Sequence, residues 1–263
     1  MSNRRAQEGA DLAAQGLARL QILASRLDRL PNLDTITVSP ASQLGQDAQV
    51  NDYDPADQQV VFAYAVAKDH LETLYRHLTA DGGGLPAFAA FTLVRAAVEA
   101  AAQGIWLLSG GTRDKRVFRS LQAIRRSRDD AEPLARSLGL SNTQGYKRML
   151  ERLEEIKAKR SALNQRDLGA SLHTTAILIE ADRHVKTTAG LKGLDVWRAG
   201  SGVAHANRST ALMFTELEEV EGMPLRRSST YRLTSSFYVV SLMVEVALDY
   251  LETLHQMYAR AAS

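Results

Sequence analysis

The chain contains no cysteine. That absence removes disulfides, thiolate nucleophiles and cysteine-ligated zinc together, and leaves imidazoles, carboxylates and cations to carry any chemistry. Net charge is almost missing as well. The 32 Lys and Arg residues stand against 30 Asp and Glu, a formal balance of +2, so no global field draws the protein to nucleic acid or to an anionic membrane, and any such contact must be local. Histidines are few, and none stands in a His-Glu-x-x-His arrangement. His70 and His77 share a helical face without further ligand spacing, so neither a metal nor another cofactor is expected. The glycine run Gly82-Gly83-Gly84 is not followed by Lys-Ser or Lys-Thr, which removes the phosphate-cradling loop and leaves a hinge or cap. Met1–Asp11 lacks the apolar core of a signal peptide, and a cytoplasmic location is the expectation.

What the sequence does have is helical periodicity. Hydrophobic residues make up 45% and charged residues 24% of 263 positions, enough for one generous core. Leu12, Leu20, Leu23, Leu27 and Leu30 predict an amphipathic helix within 1–30 that ends at Pro31 and needs a surface to lie on. Residues 31–54 are rich in Ser, Asn, Asp, Gln and Pro without a period, and read as a linker or loose loop. The main domain is expected over 55–261. It opens where Asp54 and Pro55 suit a helix start, and helix-like stretches follow at 55–80, 86–108, 113–138, 143–165, 172–187, 192–207 and 235–260. Residues 210–219 and 225–233 flank Gly222-Met223-Pro224 and predict a small β-hairpin before the last helix. The fold class is therefore all-α, a helical bundle with one hairpin. The apolar stretch Leu85–Leu108 is long enough for a membrane span, but Arg95 and Glu99 near its centre favour a buried helix in a bundle, and no membrane is expected.

Three groups of residues carry candidate chemistry. Arg95 and Glu99 interrupt an otherwise apolar helix and must find partners; Arg before Glu is the weaker order for a local pair, which points to partners on other elements. Arg198 and His205 lie seven positions apart, close to two helical turns, so they share a face roughly 10 Å apart along the axis. A cation and a proton-transfer group so placed suit phosphodiester chemistry. They suit a structural polar cluster equally, with His205 bonded to a carboxylate such as Glu99. Alternatively Ser201 caps a new helix and separates the two. Gly200 and Gly202 between them suggest close backbone approach, to a second subunit or a ligand, or a helix end. The third group is basic: Arg113, Lys115, Arg116, Arg119, Arg125, Arg126 and Arg128 face only Asp114 before Asp129 and Asp130. It is the candidate phosphate-backbone surface, though it has no interleaved aromatics for base stacking.

Arg95-Ala96-Ala97-Val98-Glu99 and Ser201-Gly202-Val203-Ala204-His205, with Arg119 as a further match, resemble the marks of a family of uncharacterised bacterial helical proteins. Arg198 and His205, with six residues between them, are also similar to the arginine–spacer–histidine motif of HEPN domains. That resemblance implies a bundle that often dimerises and, in active members, a metal-independent RNA endonuclease. His205 would then act as general acid or base at the ribose 2′-hydroxyl or leaving oxygen, and Arg198 would stabilise the phosphate in the transition state. Arg95, Glu99, Ser201 and Arg119 would support them. Ala199 stands where active HEPN motifs usually carry a polar residue. The expected partners are a second copy of the chain and RNA; the alternative is a non-catalytic interaction module that binds another protein, with the Arg/Glu/His cluster purely structural.

Overall fold

The structure, a computed structural model, describes residues 8–80, 84–219 and 231–263. Within them the chain forms ten α-helices and one hairpin, the all-α class that the periodicity predicts, with two short helices, at 43–48 and 208–214, beyond the eight expected. The helices are α1 (Ala10–Asp28), α2 (Gln43–Ala48), α3 (Ala56–Thr79), α4 (Ala89–Leu108), α5 (Arg113–Ser137), α6 (Thr143–Ala158), α7 (Thr174–Ala181), α8 (Gly193–Ala204), α9 (Arg208–Phe214) and α10 (Phe237–Ala262). Strands β1 (Thr215–Glu219) and β2 (Tyr231–Ser235) pair antiparallel, with Leu217 opposite Leu233. Starts are fixed locally: Ser42, Thr112, Asn142, Asn207 and Ser236 each accept a bond from a backbone N–H of the first turn they precede.

Helix α4 is the axis of the bundle. Phe91, Val94, Val98, Ala101 and Ile105 are fully buried, and α3, α7, α8 and α10 pack round it. A helix apolar on nearly every side has no face to give to water, which is why one long enough to cross a bilayer is instead enclosed by its neighbours. A second, smaller cluster joins α5 to α6 through Val117, Leu121, Met149, Leu153 and Ile156.

The N-terminal helix finds its surface on α10. Leu20, Leu23 and Leu27 are each about 2% exposed, and each leucine so buried contributes roughly 1.5–3 kcal/mol of transfer free energy. Arg26 adds a polar clasp. It donates to Glu252 at 2.9 and 2.8 Å and to Asp249 at 2.8 Å, and these carboxylates, Glu252 first, hold its guanidinium above its ordinary pKa. Leu12 of the expected stripe stays exposed.

Residues 31–54 are not the loose linker their composition suggests. A 3-10 turn at Leu33–Thr35 and helix α2 bury Leu33, Leu44, Asp47 and Asn51. The polar residues that break the period make internal bonds: the Asn51 amide donates to the Asp54 carbonyl at 2.7 Å and to Ser120 Oγ at 2.8 Å.

The C-terminal third differs from expectation in two places. The helix expected over 172–187 ends at Ala181, where Asp182 turns its carboxylate to another element. Thr210–Phe214, expected as strand, is helical because the Asn207 side chain caps α9 on the Thr210 N–H at 3.1 Å. The expected turn at Glu221–Pro224 and the start of the second strand, residues 225–230, lie outside the described residues.

Candidate functional site

Helix α8 carries the site, and its placement begins at Asp182. That carboxylate accepts from the Gly193 N–H at 2.8 Å and from the Tyr250 hydroxyl at 2.5 Å. Burial, with the bond to Asp182 added, pushes the Tyr250 phenol far above its ordinary pKa. Gly193 admits the contact, since a Cβ there would strike the Tyr250 ring. Nearly two turns along, Gly200 lies against α4: a Cβ would stand 2.5 Å from Arg95 Cβ and 2.6 Å from the Phe91 carbonyl oxygen. A Cβ on Gly202 would stand 2.5 Å from Thr210 Cγ2. The close approach that these two glycines predict is therefore made inside the chain, to α4 and α9, and needs no second subunit to explain it.

With Gly200 facing α4, the 100° step of a helix puts Arg198 and His205 roughly 160° and 140° round the axis, on the outer side. Helix α8 runs unbroken through Ser201 to Ala204, with His205 as its C-cap, so Ser201 does not begin a new helix. Both Arg198 and His205 are exposed. Among the described residues no ion pair or hydrogen bond engages either side chain. After His205 the chain turns sharply. The Ala206 N–H donates to the Val203 carbonyl and the Asn207 N–H to the Gly202 carbonyl, at 3.0 and 2.9 Å. Ala206 takes φ 53° at the position where glycine usually stands in this helix-ending motif.

Arg95 and Glu99 form a different cluster on the inner side. They pair with each other at 3.1 Å despite the weaker order, and Trp197 is the partner from another element. The indole N–H donates to Glu99 Oε2 at 2.8 Å, and the Arg95 guanidinium lies over the ring, 5.5 Å from its centroid. Arg95 Nε is buried and has no acceptor among the described residues. The expected meeting of His205 with this pair is not made: no hydrogen bond or ion pair joins it to Arg95 or Glu99, because Trp197 occupies the acceptor and His205 faces outward. Ser201 lends its backbone carbonyl to the His205 N–H at 3.0 Å.

The basic run on α5 does not present one cationic surface. Arg116 is buried and holds Asp47 through two bonds, at 2.6 and 3.0 Å; burial pushes the Asp47 carboxyl above its ordinary pKa, with Arg116 opposing. Arg113 lies 3.8 Å from the same carboxylate. Arg119 is buried too, stacked 5.1 Å from the Trp106 ring centroid, and it donates to the Trp106 carbonyl, to Ser109 Oγ at 2.8 Å and to Glu180 at 3.0 Å. That bond holds the Glu180 carboxyl below its ordinary pKa. Arg125 and Arg126 pair along the helix with Asp129 and Asp130 at 3.5 and 3.7 Å, and Arg126 also reaches Thr174 Oγ1 at 3.0 Å. Lys115 and Arg128 are exposed. Arg116 and Arg119 are thus corrections to the expected phosphate surface: they brace α5 against α2, α4 and α7.

The side chains that Asp47, Glu180 and Asp182 anchor across elements, Arg116, Arg119 and Tyr250, lie 69, 61 and 68 residues away, so no local sequence signal marks these pairings. Among the described residues no group of three or more His, Asp or Glu side chains is placed to hold a metal ion. Compared with protein-family models, curated proteins and solved structures, the chain matches none.

Proposed function

We propose that the protein is HEPN-like and binds and cleaves RNA at the outer face of α8. The observation that carries this reading is the pairing of Arg198 and His205 on one exposed helical face, with no carboxylate in ion-pair range among the described residues. A guanidinium so placed is available to a phosphate, and an imidazole beside it is available to move a proton. The step is an in-line attack. The ribose 2′-oxygen loses its proton to His205 and bonds to phosphorus, Arg198 holds the charge that builds on the phosphoryl oxygens, and the bond from phosphorus to the 5′-oxygen breaks as that oxygen takes up a proton from water. The products are a 2′,3′-cyclic phosphate and a 5′-hydroxyl. In this reading two chains pair about a two-fold axis, so each motif faces its counterpart.

Purified protein incubated with single-stranded RNA in EDTA tests the proposal. Cleavage that disappears in His205→Ala and in Arg198→Ala, with helical circular dichroism unchanged, is the expected result. Light scattering should report a species about twice the 28.9 kDa chain. Intact RNA across varied sequences would overturn the nuclease and leave the interaction module, in which Arg95, Glu99 and Trp197 serve only to lock α4 to α8.

A further inference from the structure

Helix α1 commits its leucine face to α10 and leaves the opposite face to solvent. Leu20, Leu23 and Leu27 are buried. A second set, Asp11, Gln15, Ala18, Ile22, Ser25 and Arg29, lies roughly 150° round the helix from them, and every member is exposed. Ile22 is 65% exposed, more than Leu12 or Leu17 of the same helix. The set advances by alternating steps of four and three residues, which is the spacing of a coiled-coil seam. Arg19 and Arg26 on its flank are already engaged by Glu245, Asp249 and Glu252 of α10, so the middle of the seam carries no free charge.

We propose that this face pairs with the same face of a second copy of the chain, antiparallel, about a two-fold axis level with Leu20. In that register the seam matches itself. Asp11 meets Arg29, Gln15 meets Ser25, and the small Ala18 meets the larger Ile22, and the two-fold axis makes each pair twice. Charge complementarity selects both the occupant and its direction, because a parallel pair would set Asp11 against Asp11 and Arg29 against Arg29. The antiparallel pair also places each helix N-terminus beside the other's C-terminus, where their dipoles attract. One pair of helices of 19 residues, roughly 28 Å long, buries less than the roughly 1,200 Å² of stable complexes, so the association is weak and grows with concentration. The face is not that of Arg198 and His205, and the step it adds is separate from any pairing at α8.

Sedimentation equilibrium of the full chain over roughly 1–300 µM tests the pairing. The average mass should rise with concentration, and Ile22→Asp should remove that rise, a loss of about a hundredfold or more in affinity, because two isoleucines leave the seam at once. Asp11→Arg and Arg29→Asp should each weaken the association roughly fivefold to tenfold. The two reversals in one chain should restore most of it, since each pair is remade with its signs exchanged. All these side chains face solvent, and thermal melting at low concentration checks that each variant folds. A mass that stays constant to the highest concentration would overturn the pairing. So would an association that ignores Ile22→Asp, which would place the contact on another face, or a doubly reversed chain no tighter than its single reversals, which would refute the register. RNA cleavage is no part of the readout, so this pairing and the RNA reading stand or fall separately.

Discussion

Replacing Gly200 by alanine adds one methyl group, and two opposed effects decide the outcome. Alanine in a helix interior is better than glycine by about 1 kcal/mol. Against this, the new Cβ would stand 2.5 Å from Arg95 Cβ and 2.6 Å from the Phe91 carbonyl oxygen, each roughly 1 Å inside ordinary contact. Neither neighbour is the free end of a side chain: one is fixed to the α4 backbone and the other is part of it, so relief requires α8 to move off α4. Overpacking of this kind costs typically 1–3 kcal/mol, and more where backbone must shift. Because backbone must shift here, the upper part of that range applies, and the net expectation is a loss of about 1–2 kcal/mol, which for a domain of this size lowers the melting temperature by roughly 2–8 °C. Urea unfolding should show a lower midpoint at unchanged slope. The loss should not depend on protein concentration over about a hundredfold range, because the contact lies within one chain. Moving α8 should also disturb the Arg95–Trp197 stack, seen as a shift in tryptophan emission. A variant as stable as the parent, or one whose loss vanishes at high protein concentration, would refute the intrachain account of this glycine.

Arg116→Ala should destabilise by about 3 kcal/mol in chemical denaturation, since it strips the buried Asp47 of both its guanidinium hydrogen bonds and leaves it only the more distant Arg113, whereas Arg116→Met with Asp47→Leu should cost much less; equal losses in the two would show that the pair is not buried as described. Salt-dependent RNA binding should be insensitive to Arg116→Met with Asp47→Leu, because neither side chain reaches the surface. His255 lies against the Tyr64 ring at 6.2 Å with its Nε2 buried, and burial lowers its pKa below the ordinary 6.5. The unfolded chain then binds the proton more readily, so this contribution to stability is complete above pH 6.5 and is lost as pH falls below it through the folded pKa. His255→Gln should therefore flatten the stability profile between pH 5 and 7 measured by thermal melting, and parallel profiles for parent and variant would sink the assignment.

The sequence by itself determined the fold class and most helix positions. Leucine spacing in α1, the all-round apolar surface of α4 and the caps Thr112, Asn142 and Ser236 are local signals, and local signals decide helices. It also determined that Arg198 and His205 share a face, because a seven-residue step is a property of any helix. Only the tertiary structure decided which face that is. Gly200 settles it by turning toward Arg95, which sends the pair outward and leaves Glu99 to Trp197. The same limit explains the basic run on α5: seven cations in sequence read as a surface, yet Arg116 and Arg119 turn inward, because their counter-charges, Asp47 and Glu180, lie 69 and 61 residues away. Composition misjudged residues 31–54 for a like reason: their polar groups are satisfied by one another and by α5. A periodic pattern records what a residue does to its own helix, whereas charge pairing and close backbone approach depend on which distant segment arrives beside it.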